Sequence, residues 1–265
     1  MIVIKTGGSR GINIDYVLAD LAFQTEPLVF LHGASDELNQ ISERLGKPPR
    51  MVTSPSGYTS RYTDSGTLDI FNMVYCGKIN TRIVEKLHQL GVNAVGLSGV
   101  DGRLLEGKRK STVRIIEEGK KKLLRNDFTG RVEKANVNLL TLLLGQGYLP
   151  VVSPPAISYE GEIINVDGDR AAAVIAEGLG ADRLIILSNT PGFLKDADAE
   201  ETLIPRLNRD DIDDVIRKYA RGRMKKKLLG AREALEAGVG TVILGDGRIP
   251  NPVTLALQGK GTVIT

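Results

Sequence analysis

Met1-Ile2-Val3-Ile4-Lys5-Thr6-Gly7-Gly8-Ser9 opens the chain: an apolar, β-branched run that ends on a charge and then on two glycines. Val and Ile at this density predict a buried strand over Met1–Lys5. Ile14, Val17, Leu18 and Leu21 then recur at helical spacing, so Gly7-Gly8 marks a tight strand-to-helix turn. Such a turn lets backbone N–H groups approach an anion, with the next helix's N-terminus pointing at it. A purely structural turn needs glycine just as much. Lys5 is the odder residue, because a lysine inside an apolar strand usually carries a purpose. Neither the G-x-x-x-x-G-K-[ST] nor the G-x-G-x-x-G pattern occurs, so the P-loop and Rossmann readings fail at the motif level.

Outward from this stretch, short β-branched runs alternate with amphipathic ones. Leu28–Leu31 predicts a second strand ending at His32-Gly33, and Asn93–Leu97, Leu149–Ser153, Arg183–Ser188, Thr241–Leu244 and Gly261–Ile264 predict further ones. Helical patterns run from Thr63, a candidate N-cap, to about Leu90, then over Ala135–Leu144, Asp169–Gly178, Asp211–Tyr219 and Met224–Ala237. Leu104 to Arg131 reads as β-hairpins with turns at Glu106-Gly107 and Glu118-Gly119, and Ser158–Val166 as a hairpin turning at Glu160-Gly161. The alternation predicts an α/β fold, an open and mainly parallel sheet sandwiched by helices. Ligands in such sheets bind beyond the carboxyl ends of the strands, where Gly7-Gly8, His32-Gly33, Ser188-Asn189 and Gly245-Asp246 fall. No internal repeat or low-complexity linker divides the 265 residues, which fit one large domain or two closely joined lobes.

Composition narrows the function classes. The core must be aliphatic, since Trp is absent and aromatics make up 5%. The single cysteine, Cys76, has no partner for an internal disulfide, and with only His32 and His88 besides, no structural zinc is expected. The start has no signal-peptide pattern and no apolar run approaches the ~20 residues of a membrane span, so a cytoplasmic protein without membrane attachment is expected. Net charge is +3, but Arg103–Arg131 holds ten Lys/Arg against four Asp/Glu, a local +6 that leaves −3 on the rest. Such a patch suits an acidic partner, or it is a solvated hairpin.

Further signals are His32-Gly33-Ala34-Ser35, Arg61, Asn165-Val166-Asp167-Gly168-Asp169, Ser188-Asn189-Thr190-Pro191-Gly192 and Gly222-Arg223-Met224-Lys225-Lys226-Lys227. Each has a plain structural reading: a turn, a surface arginine, an N-cap, a loop, a solvated basic face. Their joint order resembles the acetylglutamate kinase branch of the amino-acid kinase family. IKTGGS, LVFLHG, TSRYTD, GLSGVDG, INVDGD, LSNTPGFL, GRMKKKLLGA and the terminal GTVI carry that resemblance nearly end to end. TSPSGYTSRYTD, MVYCGKIN and GLSGVDGRLLEGKRK are most similar to the subgroup of lysine biosynthesis. That subgroup acts on 2-aminoadipate, and in some organisms glutamate, attached through its amino group to a small acidic carrier protein.

The resemblance implies an acceptor-binding and dimerisation lobe over residues 1–170 and a nucleotide-binding lobe over 171–265, using ATP and Mg2+. It implies that Lys5 and Lys227 flank the transferring phosphoryl group, held by Asp169, the Lys227 assignment following the G-x-M-x-x-K pattern of Gly222, Met224 and Lys227. Backbone N–H groups of Gly7, Gly8 and Gly33 would bind phosphoryl or carboxylate oxygens. Arg61 and Asn165 would grip the far end of the acceptor, and Ser188, Asn189, Gly192 and Lys225 would line the nucleotide site. No protein cage for the metal is visible. A homodimer without arginine feedback is expected, because the first strand begins at Met1 and leaves out the extra amino-terminal helix of arginine-sensitive hexamers. Two positions depart from the family pattern: Ala34 stands where a further glycine is common, and Asn189 where Ser-Asp is common.

The chemistry asks little of histidine. A carboxylate acceptor is ionised at neutral pH, with an ordinary pKa of about 4.3, so no general base is needed. The obstacle is repulsion between that carboxylate and the γ-phosphate, and catalysis reduces to positioning and charge neutralisation. The rivals are a conventional acetylglutamate kinase, other kinases of the fold acting on aspartate, uridylate or carbamate, and a non-catalytic protein holding RNA or an acidic partner. Nucleic acid is disfavoured, because single-strand binding interleaves aromatics with basic residues and the Arg103–Arg131 window offers only Phe128.

Overall fold

β-Branched runs give the strands and their alternation sets the two faces of the main sheet. The structure is a computed structural model that describes all residues except Ser56, Tyr58, Glu118 and Arg221, and of Arg223 the backbone alone. Its strands are β1 (Ile2–Thr6), β2 (Leu28–His32), β3 (Met51–Thr53), β4 (Thr59–Arg61), β5 (Ala94–Ser98), β6 (Leu105–Arg109), β7 (Thr112–Glu117), β8 (Lys120–Arg125), β9 (Gly130–Ala135), β10 (Leu149–Ser153), β11 (Pro155–Ser158), β12 (Ile163–Asn165), β13 (Arg183–Ser188), β14 (Arg206–Leu207), β15 (Thr241–Asp246) and β16 (Thr262–Ile264). The helices are α1 (Ile14–Leu21), α2 (Ser35–Arg44), α3 (Ser65–Asn72), α4 (Thr81–Gln89), α5 (Val137–Gly145), α6 (Gly168–Gly178), α7 (Ile212–Lys218), α8 (Gly222–Glu236) and α9 (Pro252–Leu257).

One eight-stranded sheet runs in the order β14-β16-β15-β13-β1-β2-β10-β5. Its pairings are parallel except that of β15 with β16, so the mainly parallel α/β sheet expected from the alternation is the fold found. Because strand side chains alternate, Val3, Val29, Leu31, Leu184 and Ile186 pack on one face against α6 and α8. Ile2, Ile4, Leu28, Phe30, Ile185 and Leu187 pack on the other against α1, α4 and α9. The division between residues 170 and 171 falls within the first turn of α6, so the two halves share one sheet with no linker between them.

Two four-stranded sheets, β12-β11-β6-β9 and β4-β3-β7-β8, project from the carboxyl end of the main sheet's strands. Here sequence reading and structure differ. Glu106-Gly107 is no turn but lies inside β6, at a register shift where the strand opposes β9. A Cβ on Gly107 would fall 1.9 Å from Arg131 O, so this glycine serves close strand approach at a bulge. The Glu160-Gly161 turn does join β11 to β12. β7 and β8 pair as far as Glu117 opposite Lys120, and the expected turn residue Glu118 lies outside the described residues. The pattern from Thr63 to Leu90 is three pieces, α3, a π-helical segment Met73–Asn80 and α4. Asp64, not Thr63, caps α3, accepting from Thr67 N at 2.8 Å. Helix α2 and the β3–β4 hairpin had no signal strong enough to be expected.

Gly107→Ala should lower stability by about 1–3 kcal/mol through backbone overpacking. Gly145→Ala, at a helical position with nothing within 4 Å of the added methyl, should be neutral or stabilising by about 0.4–1 kcal/mol. Urea unfolding of both variants checks this, and equal midpoints would contradict the close approach at β6.

Candidate active site

Strand period places the central charge. Lys5 shares the face of Val3, under α6, and the first turn of α6 carries Asp169. Asp167 caps that helix, accepting from Asp169 N at 3.0 Å and Arg170 N at 3.1 Å, which fixes where the Asp169 side chain starts. Lys5 Nζ lies 2.6 Å from Asp169 Oδ1, and Lys227 Nζ, on α8, donates to Oδ2 at 3.3 Å. The structure therefore brings Lys5, Asp169 and Lys227 together, all with side chains nearly closed to solvent.

One carboxylate shared by two ammonium groups carries one charge fewer than they do, and the Asp167 carboxylate at the cap of α6 also acts on both lysines. Burial alone would raise the Asp169 pKa, but Lys227 and Lys5 hold it well below the usual carboxylate range. For Lys5, burial is outweighed by Asp169 and the pKa rises. Lys227, more distant from the carboxylate and repelled by Lys5, is left lowered by burial.

The Gly7-Gly8 and Gly33-Ala34 turns press against each other at the ends of β1 and β2. A Cβ on Gly8 would sit 2.1 Å from Ala34 N, and one on Gly33 2.5 Å from Gly8 N. Gly7 N–H donates to Leu187 O at 2.9 Å and Gly33 N–H to Thr6 O at 2.8 Å, which extends the sheet. Those two N–H groups are spent on the scaffold, and only Gly8 N–H donates to no backbone carbonyl among the described residues. His32, beside them, is 1% exposed, and burial pushes its pKa down to about 4, so the ring is neutral at neutral pH.

Arg61 and Asn165 meet through a residue that the sequence reading took for a helix cap. Asn165 Nδ2 donates to Thr63 Oγ1 at 3.0 Å, and Thr63 Oγ1 donates to Arg61 O at 3.2 Å. Thr63 is fully buried. The Arg61 guanidinium also donates to Asn39 Oδ1 of α2.

A cleft of about 870 Å³ takes in Lys5, Gly7, Gly8, Gly33, Arg61, Asn165, Asp169, Ser188, Asn189 and Lys227. Two expected residues are not in its wall. Gly192 is buried under β16, where a Cβ would fall 2.8 Å from Thr262 Oγ1, and Lys225 is turned off the lining by its place on α8. Lys226 lines the cleft instead, together with Lys195, Lys218, Tyr219, Phe71, Tyr75 and Lys110. Lys226 lies in the basic run already singled out, and Tyr75 and Lys110 lie in the stretches MVYCGKIN and GLSGVDGRLLEGKRK, whereas Lys195, Lys218, Tyr219 and Phe71 sit in no motif read from the sequence. The described lining carries seven Lys/Arg against three Asp. That excess suits a polyanion.

The basic window Arg103–Arg131 is not one surface, since β6 and β9 belong to one small sheet and β7 and β8 to the other. Arg109 is structural: it pairs with Glu162 at 2.5 Å and lies 3.7 Å over the Phe128 ring. Phe128 is thereby occupied, and Lys120 and Lys121 stand exposed on β8.

Among the described residues no helix is long and apolar enough to cross a membrane. The amino acid kinase family matches residues 1–246. LysW-aminoadipate kinase of Deinococcus radiodurans is 57% identical, covering all of this chain and 91% of that protein. The protein of that name from Thermus thermophilus is 49% identical over the full length of both. LysW-aminoadipate/LysW-glutamate kinase of Saccharolobus islandicus is 38% identical, covering all of this chain and 99% of its own. Among solved structures, N-acetylglutamate synthase from Neisseria gonorrhoeae superposes with a TM-score of 0.79 at 23% identity, over all of this chain and 59% of that one. Carbamate kinase from Giardia lamblia gives 0.68 at 14% identity, over 99% and 97%, a likeness of fold. With a family match over most of its length and full-length relatives well above 30% identity, this chain belongs to the amino acid kinase family.

Proposed function

We propose that this protein is an ATP-dependent kinase that converts the side-chain carboxylate of 2-aminoadipate, carried on a small acidic LysW-type protein, to an acyl phosphate. The observation that carries this reading is the Lys5–Asp169–Lys227 cluster buried in a cation-rich cleft, in a chain similar over its full length to LysW-aminoadipate kinases. Glutamate on the same carrier is a second acceptor within this reading, motivated by the name of the Saccharolobus relative.

The acceptor carboxylate is already ionised and needs no proton removed, which fits a site whose one histidine is neutral and buried. Lys5 and Lys227 neutralise charge on the transferring phosphoryl group from opposite sides, and Asp169 fixes their spacing. Gly7, Gly8 and Gly33 allow close approach, and Gly8 N–H supplies the donor. Arg61 pairs with the acceptor's α-carboxylate, and Asn165 supports the same end. Ser188 and Asn189 border the nucleotide, with Gly192 shaping their loop and Lys225 nearby. On this assignment residues 1–170 bind the acceptor and form a homodimer, and residues 171–265 bind ATP. Among the described residues no three His, Cys, Asp or Glu side chains converge, so Mg2+ would be held chiefly by the nucleotide's phosphates, whose charge it offsets.

The defining experiment supplies ATP, hydroxylamine and carrier-linked aminoadipate, and reads hydroxamate formation. Hydroxamate from free N-acetylglutamate at equal efficiency would instead indicate a conventional acetylglutamate kinase.

Lys227→Ala should lower kcat by about 10²–10³ with little change in ATP binding, as for a lost oxyanion donor. Because the Lys227 pKa is lowered from 10.5, kcat/KM for ATP should also decline along an alkaline limb centred below 10.5, and Lys227→Arg should remove that limb. A variant with wild-type kcat would take Lys227 out of the mechanism.

Arg61→Lys should raise the acceptor KM and leave the nucleotide KM nearly unchanged, since an ammonium cannot reproduce the planar fork. Steady-state kinetics varying each substrate in turn decides it, and an effect confined to ATP would place Arg61 at the wrong end of the cleft.

If the exposed β8 edge steers the carrier, kcat/KM for the carrier-linked acceptor should fall steeply as salt shortens the screening length from ~30 Å at 0.01 M to ~8 Å at 0.15 M. Lys120→Glu with Lys121→Glu should mimic high salt. Insensitivity to both would leave this strand an ordinary solvated surface.

A further inference from the structure

Residues 225–227 are consecutive lysines on α8, and a helix turns successive side chains by about 100°. Lys227 points inward to Asp169, whereas Lys226 crosses the cleft and donates from Nζ to Thr59 O at 3.2 Å. Thr59 opens β4, the strand that ends on Arg61, and β4 is an edge strand of its small sheet. An edge strand has carbonyls without a ladder partner, and a lysine is a suitable donor for one. Thr59, Ser60, Arg61 and Lys226 all line the cleft, so the contact spans its mouth. It joins residues 167 positions apart in sequence. The hairpin beneath is stiffened by pairing of Met51 with Arg61 and by the Thr53 and Thr59 hydroxyls at 3.1 Å.

We infer that Lys226 is a positioning residue: it clasps the β3–β4 hairpin to α8, so that the group gripping the acceptor (Arg61) and the group meeting the phosphoryl (Lys227) are held at one spacing. The inference rests on the proposed kinase reading for its kinetic consequences, but the clasp itself does not. Lys226 has a second physical option, a direct contact with a nucleotide phosphate, and the two differ in which substrate responds to its loss.

The test compares wild type, Lys226→Met, which keeps an apolar stem without donors, and Lys226→Arg. With a non-hydrolysable ATP analogue bound and no acceptor present, amide hydrogen exchange over residues 51–61 should be faster in Lys226→Met than in wild type, and restored in Lys226→Arg. In turnover, the acceptor KM should rise about tenfold in Lys226→Met, the loss expected for one hydrogen bond to a charged group, with the ATP KM changed less than about twofold. The ratio of ATP hydrolysed to acyl phosphate formed should also rise, because the open mouth admits water. Unchanged exchange over 51–61 overturns the clasp. So does a rise in ATP KM with acceptor KM unmoved, which would assign Lys226 to the phosphates. If wild type fails to phosphorylate the carrier-linked acceptor, the kinase reading fails on its own, and the exchange comparison still decides the clasp.

Discussion

Asp169 sits between two buried ammonium groups, and the rest of the molecule is arranged around that shared carboxylate. Breaking a buried ion pair by removing one partner costs about 3–5 kcal/mol, so strand β1 and helices α6 and α8 are not free to drift apart. Their approach is made possible by small side chains. Ala171, Ala172, Ala173 and Ala176 of α6 and Ala231 and Ala234 of α8 are buried in the same cluster as Val3. Alanine lets helix axes come close, and closeness brings Lys227 within reach of a carboxylate that Lys5 already holds. The packing and the electrostatics are thus one constraint seen twice.

Lys5, Asp169 and Lys227 by themselves carry one more positive charge than negative, the Asp167 carboxylate acts on both lysines, and the two lysines are not equally held. Lys227 stands 3.3 Å from the shared carboxylate against 2.6 Å for Lys5, so it is the less closely paired of the two. In general, a buried cation whose charge costs less beside an anion binds that anion differentially, and only differential binding can accelerate a chemical step. Lys5, the nearer of the two to Asp169, is the more tightly held.

Much of this was legible in the sequence, and what was not has physical causes. The strands of the main sheet are continuous apolar runs, so β1, β2 and β13 could be read within a residue or so, and an isolated Lys5 within such a run marked the site. Lys227 stands out through the resemblance to the G-x-M-x-x-K pattern, and the structure sets it beside Asp169. Thr63 was read as a cap because a hydroxyl before a helical pattern is ambiguous, and only the tertiary structure shows that Asp64 caps while Thr63 ties Arg61 to Asn165. Gly107 was read as a turn because glycine signals either a turn or a close approach, and a partner strand about two dozen residues on decides which. The π-helical segment hid for a similar reason: its apolar spacing continues that of α3, yet its wider turn sets Tyr75 against Phe71 at 4.3 Å and Asn80 beside His32 at 3.2 Å. Cleft residues such as Lys195, Lys218 and Tyr219 carry no local signature at all, since their role comes from where the loops end.

The sharing of one sheet between the two halves restricts how this cleft can open. β1 pairs with β2 on one side and β13 on the other, each through five residues in register, so separating the parts of the chain before and after residue 170 would have to break a central ladder. Buried ladders open only at free energies near that of global unfolding, whereas short edge strands open at much less. The small sheet β4-β3-β7-β8 is attached to the body by connections rather than by ladder bonds to the main sheet. Its β4 edge reaches α8 and its β8 edge carries the exposed lysines. Movement of this sheet over the main one is therefore the least costly way for the cleft to widen, with the Lys5–Asp169–Lys227 cluster beneath it. A cleft built this way can change its mouth while its buried charges stay in place, since only β7 and β3, paired at Thr53 opposite Ile116, lie between the β8 and β4 edges.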